Sequence, residues 1–324
     1  MKHFIGKKNI KMKNYLKLIR WPNALIIVLS MYFMLTFVIN PLLGMTAFSD
    51  GLSVTEFVLL VIATLFIAIG GNIVNDISDI NPDSVNKPGR NPVGRGISVA
   101  KSWTLYYALT ILGVIAGSLV SYFVDQINYS LIFLFTVGLL WFYSKKYKCQ
   151  PLVGNFVVAF LSAISFGLVW LYQFFALVPE TEVFTSVQSN FQIVNRMVLI
   201  YMGFAFFVSL MREIAKDMED FKGDDRFGCR TFAVVYGIKK TKILLYIVSL
   251  IGFVGLFLVQ YYFFLLQFNI HFWFFFLIDL FFVLIFVRTM KANNKEDFSK
   301  ISLLIKIIML LGIVSMIFFW FYRL

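Results

Sequence analysis

The 324-residue sequence is 60% hydrophobic, only 14% of its residues carry charged side chains, and its mean hydropathy is +0.83. A water-soluble domain has more charge and less apolar content, and 39 phenylalanines exceed what one soluble core holds, so a soluble protein is excluded. The net charge of +12 comes from Lys and Arg in short loops between apolar segments, which indicates topogenic charges and excludes a nucleic-acid partner.

Nine apolar segments are long enough to cross a bilayer as helices, so we predict an all-α, polytopic membrane protein with a single domain over residues 1–324. We divide it into a basic cytosolic lead (1–20), a first half (21–148), a second half (149–290) and a last helix (300–324). The halves are typical of a parallel repeat, because each carries an acidic cluster at the end of its second span. The spans are predicted near 23–44, 54–78, 102–123, 128–144, 151–176, 193–220, 243–264, 269–287 and 301–321.

The loops alternate in charge along the chain. The positive-inside rule therefore places the N-terminus in the cytosol and the C-terminus outside, with both acidic clusters on the cytosolic side. Basic residues occupy the segments 1–20, 84–101, 145–148, 222–242 and 288–300, whereas 45–53, 124–128, 177–192 and 265–270 contain no Lys or Arg.

The cysteines and histidines do not predict a metal site. Cys149 and Cys229 lie in different basic loops without metal-ligand spacing, and we expect both to be reduced thiols that face a reducing compartment. His3 and His271 are too few and too scattered for a His-based site.

Two acidic clusters share the spacing i, i+4, i+7, i+11, which keeps four side chains on one face of a helix. Carboxylates at the end of an apolar span are costly unless they are used, and Mg²⁺ binds such oxygens together with substrate phosphates. We therefore predict one metal-diphosphate site between the clusters, against the alternative of solvated charges at loop ends. The clusters are Asn72, Asp76, Asp79, Asp83 and Glu213, Asp217, Asp220, Asp224.

Cations near the clusters are expected to complete a clamp on the diphosphate, with Arg suited to forked phosphate contacts. Pro82 directly precedes Asp83, so the first helix is expected to bend or end there, which moves Asp83 off the shared face. The candidate cations are Lys87, Arg90, Lys148, Lys216 and Arg230.

Four segments, in order, resemble the UbiA superfamily of intramembrane prenyltransferases. Residues 75–83 are similar to its N-D-x-x-D-x-x-x-D motif, and residues 212–224 to its R-E-x-x-K-D-x-x-D-x-x-G-D motif. Residues 143–155 match a Y-S…K-x-x-P-L-x-G-N stretch, and 20–23 match R-x-P-N.

The resemblance implies nine helices around a central cavity that opens toward lipid, under a cytosolic cap. It implies Mg²⁺-dependent transfer of a prenyl group from a polyprenyl diphosphate. Lys148, Tyr143 and Arg90 would face the diphosphate or the allylic carbon. Substrate contacts are expected from Arg20, Asn23, Asn72, Lys87, Asn155, Lys216 and Arg230. The metal ligands implied are Asn75, Asp76, Asp79 and Asp83 for one ion, and Asp217, Asp220 and Asp224 for the other.

In detail the motifs resemble digeranylgeranylglyceryl phosphate synthases, which alkylate a glycerol-phosphate ether lipid. The phosphate of such an acceptor needs a further cationic contact, for which Arg20, Lys87 and Arg95 are the candidates. The loop departs from that branch, since Arg90-Asn91-Pro92 replaces R-P and Gly94-Arg95-Gly96 replaces S-G-R.

Two other functions stay open. The first is prenylation of an aromatic acceptor of quinone biosynthesis. The second is transport, for which Asp279 inside the eighth span is the candidate residue. Whichever function applies, we expect the protein to lie in a bacterial or archaeal plasma membrane, in contact with membrane lipid and without an obligatory protein partner.

Overall fold

The structure is a computed structural model that describes residues 12–46, 48 and 50–322. The part of the predicted basic lead at 1–11 and the last two residues of the predicted final helix lie outside the described residues. Within the described ranges the chain is helical apart from turns, loops and one isolated bridge between Val93 and Ile97, which confirms the all-α prediction.

Nine helical segments of the described chain are long and apolar enough to cross a membrane, as predicted. Short helices lie at Ile80–Asn86 and Thr181–Val187, and 3₁₀ turns at Ile127–Ser130, Tyr147–Cys149, Gln188–Asn190 and Met316–Phe321. The nine are α1 (Trp21–Leu42), α2 (Val54–Ser78), α3 (Val99–Phe123), α4 (Leu131–Lys145), α5 (Val153–Leu177), α6 (Phe191–Arg226), α7 (Phe232–Leu265), α8 (Asn269–Lys291) and α9 (Lys295–Ser315).

Two helices are much longer than the spans predicted for them. The 36 residues of α6 rise about 54 Å, whereas a bilayer core is about 30 Å thick, so one end of α6 projects beyond an apolar layer. Helix α7 starts eleven residues before its predicted span and is interrupted at Gly237, whose φ of 81° and ψ of 160° are not helical. Apolar length alone therefore underestimated both helices.

Helix α6 is the central element of the bundle. It packs against α5, α7 and α9, and its projecting end also packs against the short helix Ile80–Asn86 that follows α2. Helix α2 packs in turn against α3 and α4. This arrangement brings the end of α2 next to the end of α6, so the two acidic clusters meet. The parallel repeat of the two halves stays a prediction.

Loops without basic residues meet at the opposite end of the bundle. The backbone N–H of Gly51 donates to Glu180 Oε1 over 3.2 Å, and that of Leu52 donates to Gln173 Oε1 over 3.0 Å. The charge alternation predicted from the sequence therefore corresponds to two separate ends of the molecule.

Candidate active site

The first motif lies across a break between two helices. Helix α2 ends at Ser78, and Asp79, with φ −92° and ψ 7°, joins it to the helix Ile80–Asn86. Pro82 falls in the first turn of that new helix, where its missing N–H has no bond to make. The break thus precedes the proline instead of following it, and Asp83 remains in the same cavity as Asp79.

Each acidic residue of the first motif contacts a donor. Arg20 Nη2 lies 2.5 Å from Asp76 Oδ1, and the Lys148 ammonium donates to Asp79 Oδ2. Asn75 Nδ2 also donates to Asp79 Oδ2, over 2.9 Å. Asn91, which sequence reasoning did not select, donates from Nδ2 to Asp83 Oδ2 over 3.1 Å. The loop after α2 therefore folds back onto the motif.

The two carboxylates Asp79 and Asp83 differ in their electrostatic surroundings. Burial alone disfavours the charged form of Asp79, but the Lys148 ammonium, together with Lys216 and Arg20, outweighs burial and holds the pKa of Asp79 below its usual range. Burial raises the pKa of Asp83, and the neighbouring charge of Asp79 adds to the rise. Burial also disfavours the charged form of Lys148, but Asp79 outweighs it and raises the pKa of Lys148. The Asp79–Lys148 pair is thus held as an ion pair.

The second motif lies along one continuous helix, α6, so its predicted row of side chains is intact. Lys87 Nζ lies 2.7 Å from Asp220 Oδ2, and Asn155 Nδ2 donates to Asp217 Oδ2 over 3.0 Å. Glu213, at the start of the row, contacts Arg212 over 2.7 Å and Lys216 over 3.6 Å. Residues from the loop after α2 and from the start of α5 therefore orient the α6 carboxylates.

Asn86 joins the two motifs and was missed in the sequence. Its Oδ1 accepts from the backbone N–H of Gly223 over 2.8 Å, and its Nδ2 donates to Asp224 Oδ1 over 3.4 Å. Its backbone carbonyl accepts from the Lys295 ammonium of α9. One buried amide thus connects the segment after α2 with α6. No residue type or spacing signals this contact, because it depends on the packing of distant helices.

Substitution of Gly223 by alanine tests this connection. A Cβ at position 223 would lie 2.4–2.5 Å from the amide group of Asn86, so the asparagine must leave its position. We expect turnover in the prenyl transfer that the motifs predict to fall about 100-fold, because a shift of Asn86 by about an ångström misaligns the groups that it orients. The measurement is steady-state kinetics on purified, membrane-inserted protein. Gly203→Ala is the matched control on the same helix, since a Cβ there meets nothing within 4 Å. Equal activity of the two variants would contradict the role of Asn86.

Both motifs line one cavity of about 1020 Å³. Of the residues predicted to bind metal or substrate, all line it except Asn72, Arg95 and Arg230. Asn72 is not among the lining residues. It lies one turn before Asn75 and Asp76 on α2, farther from the end of the helix that carries the motif. Arg230 is exposed and also lies outside the lining, although the adjacent Thr231 belongs to it. The roles predicted for the site residues stay predictions.

The cavity also has a wall that the sequence analysis did not anticipate. Helix α9 contributes Ser299, Lys300, Ser302, Leu303 and Lys306. A signal was present in the sequence, because Lys306 is an ionisable residue inside a predicted span and is therefore a functional candidate by default.

A disulfide joins the loops beside the cavity. Cys149, next to Lys148, is bonded to Cys229, next to Arg230, with a Cα–Cα distance of 4.5 Å. The prediction of two reduced thiols is therefore wrong. The two cysteines are 80 residues apart in sequence, and only the packing of α5 against α6 brings their loops together.

The oxygen donors fit Mg²⁺ in their chemistry. Two buried oxygens, Asn75 Oδ1 and Asp220 Oδ1, have no hydrogen-bond partner among the described residues, and each motif supplies one of them. Carboxylate and amide oxygens are ligands that Mg²⁺ accepts. In the described part of the chain, no three acidic, His or Cys side chains converge closely enough to hold an ion. The carboxylates contact Lys148 and Lys87 instead. Binding of Mg²⁺ by the two acidic motifs therefore stays a prediction.

Comparison with known proteins identifies the family. Residues 33–310 match the model of the UbiA prenyltransferase family. The chain belongs to this family. A digeranylgeranylglyceryl phosphate synthase from Sulfurisphaera tokodaii is 35% identical over 207 residues, which are 62% of this chain and 66% of that relative, just under two thirds of its length. A protein of the same name from Methanocaldococcus jannaschii is 28% identical over 95% of this chain and 96% of its own.

Solved structures of UbiA proteins share the fold. One, of a digeranylgeranylglyceryl phosphate synthase in membranes, has a TM-score of 0.60 and 26% identity over 95% of this chain and 97% of its own. Another, a UbiA homologue from Archaeoglobus fulgidus bound to GPP and Mg²⁺, has a TM-score of 0.60 at 17% identity, over 94% of this chain and 99% of its own. The fold of the described residues is therefore that of the family.

Proposed function

We propose that this UbiA protein transfers a prenyl group within the membrane, from a polyprenyl diphosphate to a geranylgeranylglycerol phosphate-type lipid, with Mg²⁺ as the cofactor. The observation that carries the proposal is the single cavity in which acidic motifs from α2 and α6 face cationic side chains. The synthases from S. tokodaii and M. jannaschii support the choice of acceptor. The A. fulgidus homologue with GPP and Mg²⁺ supports the choice of diphosphate and metal.

In the proposed reaction, the acceptor hydroxyl oxygen forms a bond with the first carbon of the prenyl chain. The bond from that carbon to the diphosphate oxygen breaks, the diphosphate leaves with the electron pair, and the hydroxyl proton is released. Mg²⁺, when bound, supplies the positive charge that makes the diphosphate a better leaving group. Its proposed ligands are Asn75, Asp76, Asp79 and Asp83 on one side and Asp217, Asp220 and Asp224 on the other.

Cationic residues of the cavity bind and orient the diphosphate in this mechanism. Arg90 lines the cavity and makes no ion pair within the described residues, so its guanidinium is available for a forked contact with phosphate oxygens. Lys148 and Lys87 lie beside the carboxylates of the two motifs and reach the same anion. Tyr143 presents an aromatic wall to the allylic carbon, where the π-face stabilises developing positive charge.

Transport is less well supported. Both acidic motifs and the cations beside them line one cavity. Asp279 lies outside its lining and accepts a 2.6 Å hydrogen bond from Gln260 Nε2 of α7. A transporter needs ionisable groups along a path through the spans, and the positions of these residues do not favour such a path.

The test of the proposed function uses purified protein, Mg²⁺, labelled geranylgeranyl diphosphate and a panel of acceptors. We expect an ether-linked product with geranylgeranylglyceryl phosphate. Product with 4-hydroxybenzoate or a naphthoate, and none with the phospholipid, would overturn the acceptor assignment in favour of the aromatic alternative. Release of diphosphate without a prenylated product in any reaction would overturn both the lipid and the aromatic acceptor assignments.

In the proposed orientation, the cavity opens on the cytosolic side of the membrane and the loop at 177–192 lies on the outer side. In a Cys149→Ser, Cys229→Ser background, we expect Glu182→Cys to react with a membrane-impermeant maleimide added to intact cells. Lys222→Cys should react only after permeabilisation. Both positions are exposed, so access to the membrane side determines the result. The reverse labelling pattern would invert the topology.

A further inference from the structure

The α9 wall of the cavity carries positive charge that the diphosphate mechanism does not use. Lys306 and Lys300 line the cavity from α9, and Arg212 lines it from α6. Lys306 makes no ion pair with a carboxylate within the described residues, and its strongest charged neighbour is another cation, Arg212. The other charged groups that act on Lys306 are Lys216, Glu219 and Glu213.

The carboxylates that act on Lys306 are Glu219 and Glu213, and Glu296 also lines the cavity from α9. Glu213 contacts both Arg212 and Lys216 and so serves two cations. Only one nitrogen of Arg212, Nη1, is bonded to it in the described structure, which leaves other donors of the guanidinium fork for a ligand. Lys306 has no carboxylate within ion-pair distance in the described structure, and the guanidinium of Arg212 is only partly used by Glu213. Two such cations that line one cavity favour an anion between them.

The cations that the sequence suggested for an acceptor phosphate are in other positions. Arg20 contacts Asp76, and Lys87 contacts Asp220 and lies 4.0 Å from Asp83, so both belong to the acidic motifs. Arg95 is not among the residues that line the cavity. A second phosphate in the same cavity therefore needs a different cationic contact.

The edge of this wall is apolar and exposed. Leu303 on α9 and Trp21 at the start of α1 line the cavity while 58% and 54% of their surfaces are exposed, and Leu16 beside them is 43% exposed. A molecule with a phosphate head and a hydrocarbon chain matches cations that lie next to apolar side chains. A free phosphate or a second diphosphate matches only the cations.

We propose that Lys306 and Arg212 form a subsite for the phosphate of the lipid acceptor, on the α9 wall, separate from the acidic motifs that hold the prenyl diphosphate. This inference rests on the proposed function and deepens it, because it assigns the group that selects a phosphomonoester lipid over an acceptor without a phosphate.

The test compares the kinetics of Lys306→Met with those of the unaltered protein. We expect the KM for geranylgeranylglyceryl phosphate to rise about tenfold or more, because a charge-assisted contact to phosphate is lost. The KM for geranylgeranyl diphosphate should change less than about twofold. With geranylgeranylglycerol, which lacks the phosphate, the variant and the unaltered protein should have equal kcat/KM. Lys306→Arg keeps the charge and should restore most of the acceptor affinity.

The matched control is Lys291→Met, which removes a lysine near the end of α8 that does not line the cavity. It should leave both KM values unchanged. An unchanged acceptor KM in Lys306→Met, or an equal rise in both KM values, would overturn the subsite.

Titration calorimetry with geranylgeranylglyceryl phosphate alone separates this proposal from the proposed function. Equal affinity of Lys306→Met and the unaltered protein refutes the subsite, whereas absence of ether product from the unaltered protein refutes the function.

Discussion

Asp217→Asn should reduce turnover by about 100-fold or more while the protein still inserts and folds. Asparagine keeps the size of the side chain and can still accept the 3.0 Å hydrogen bond from Asn155, so the main change is the loss of a carboxylate in the cavity. As a proposed Mg²⁺ ligand, a carboxylate binds the ion more strongly than a neutral amide does. The measurement is kcat with saturating geranylgeranyl diphosphate and acceptor, together with size-exclusion profiles in detergent.

The control for this prediction is Asp279→Asn, the same chemical change at another partly buried aspartate. Asp279 accepts from Gln260 outside the cavity lining, and an asparagine carbonyl can accept that bond as well. Its turnover should remain within about twofold of the unaltered protein, as for a site away from the chemistry. The assignment fails if Asp217→Asn keeps more than a tenth of the activity, and full activity in EDTA would exclude the metal.

Lys148→Met should lower kcat/KM for the prenyl diphosphate by about 100-fold, comparable to the loss of a preorganised charge contact at a reacting group. Methionine keeps much of the length of the side chain but removes the ammonium that donates to Asp79. Asp79 then loses its main positive neighbour, and the diphosphate loses a cation. The measurement is the kcat/KM for geranylgeranyl diphosphate at saturating acceptor.

Lys145→Met is the matched control, three residues away in the last turn of α4. The Lys145 ammonium lies 5.3 Å and 5.5 Å from the ring centroids of Trp103 and Trp141, outside the cavity lining. Its loss should change kcat/KM by less than about threefold, since an exposed cation–π contact is worth about 0.5–1 kcal/mol. Similar effects of the two lysine substitutions would mean that overall positive charge, and not the position of Lys148, promotes the reaction.

Periodicity and hydropathy predicted much of this molecule because the bilayer limits the available structures. The nine spans follow from apolar length, and the row Glu213, Asp217, Asp220, Asp224 follows from helix geometry because α6 is continuous. The corresponding row on α2 fails at its first member, because Asn72 lies one turn deeper in the helix than Asp76 and does not line the cavity. Helix spacing predicts which residues share a face, whereas the depth of the cavity decides which of them line it.

The contacts between helices that sequence reasoning missed join residues far apart in the chain. Asn86 and Gly223 are 137 residues apart, and nothing in either residue type identifies the other as its partner. The partner of Cys149 and the cations of the α9 wall likewise depend on which helices pack against α6. Local patterns specify the elements, whereas packing specifies these pairs.

The bond between Cys149 and Cys229 closes a covalent ring that contains α5 and α6. Asp79 lies in the chain before this ring, and Lys306 lies in the chain after it. With the ring closed, the loop that holds Lys148 and the loop that holds Arg230 cannot separate by more than the span of one covalent bridge. A diphosphate that enters the cavity therefore cannot pass between Cys149 and Cys229.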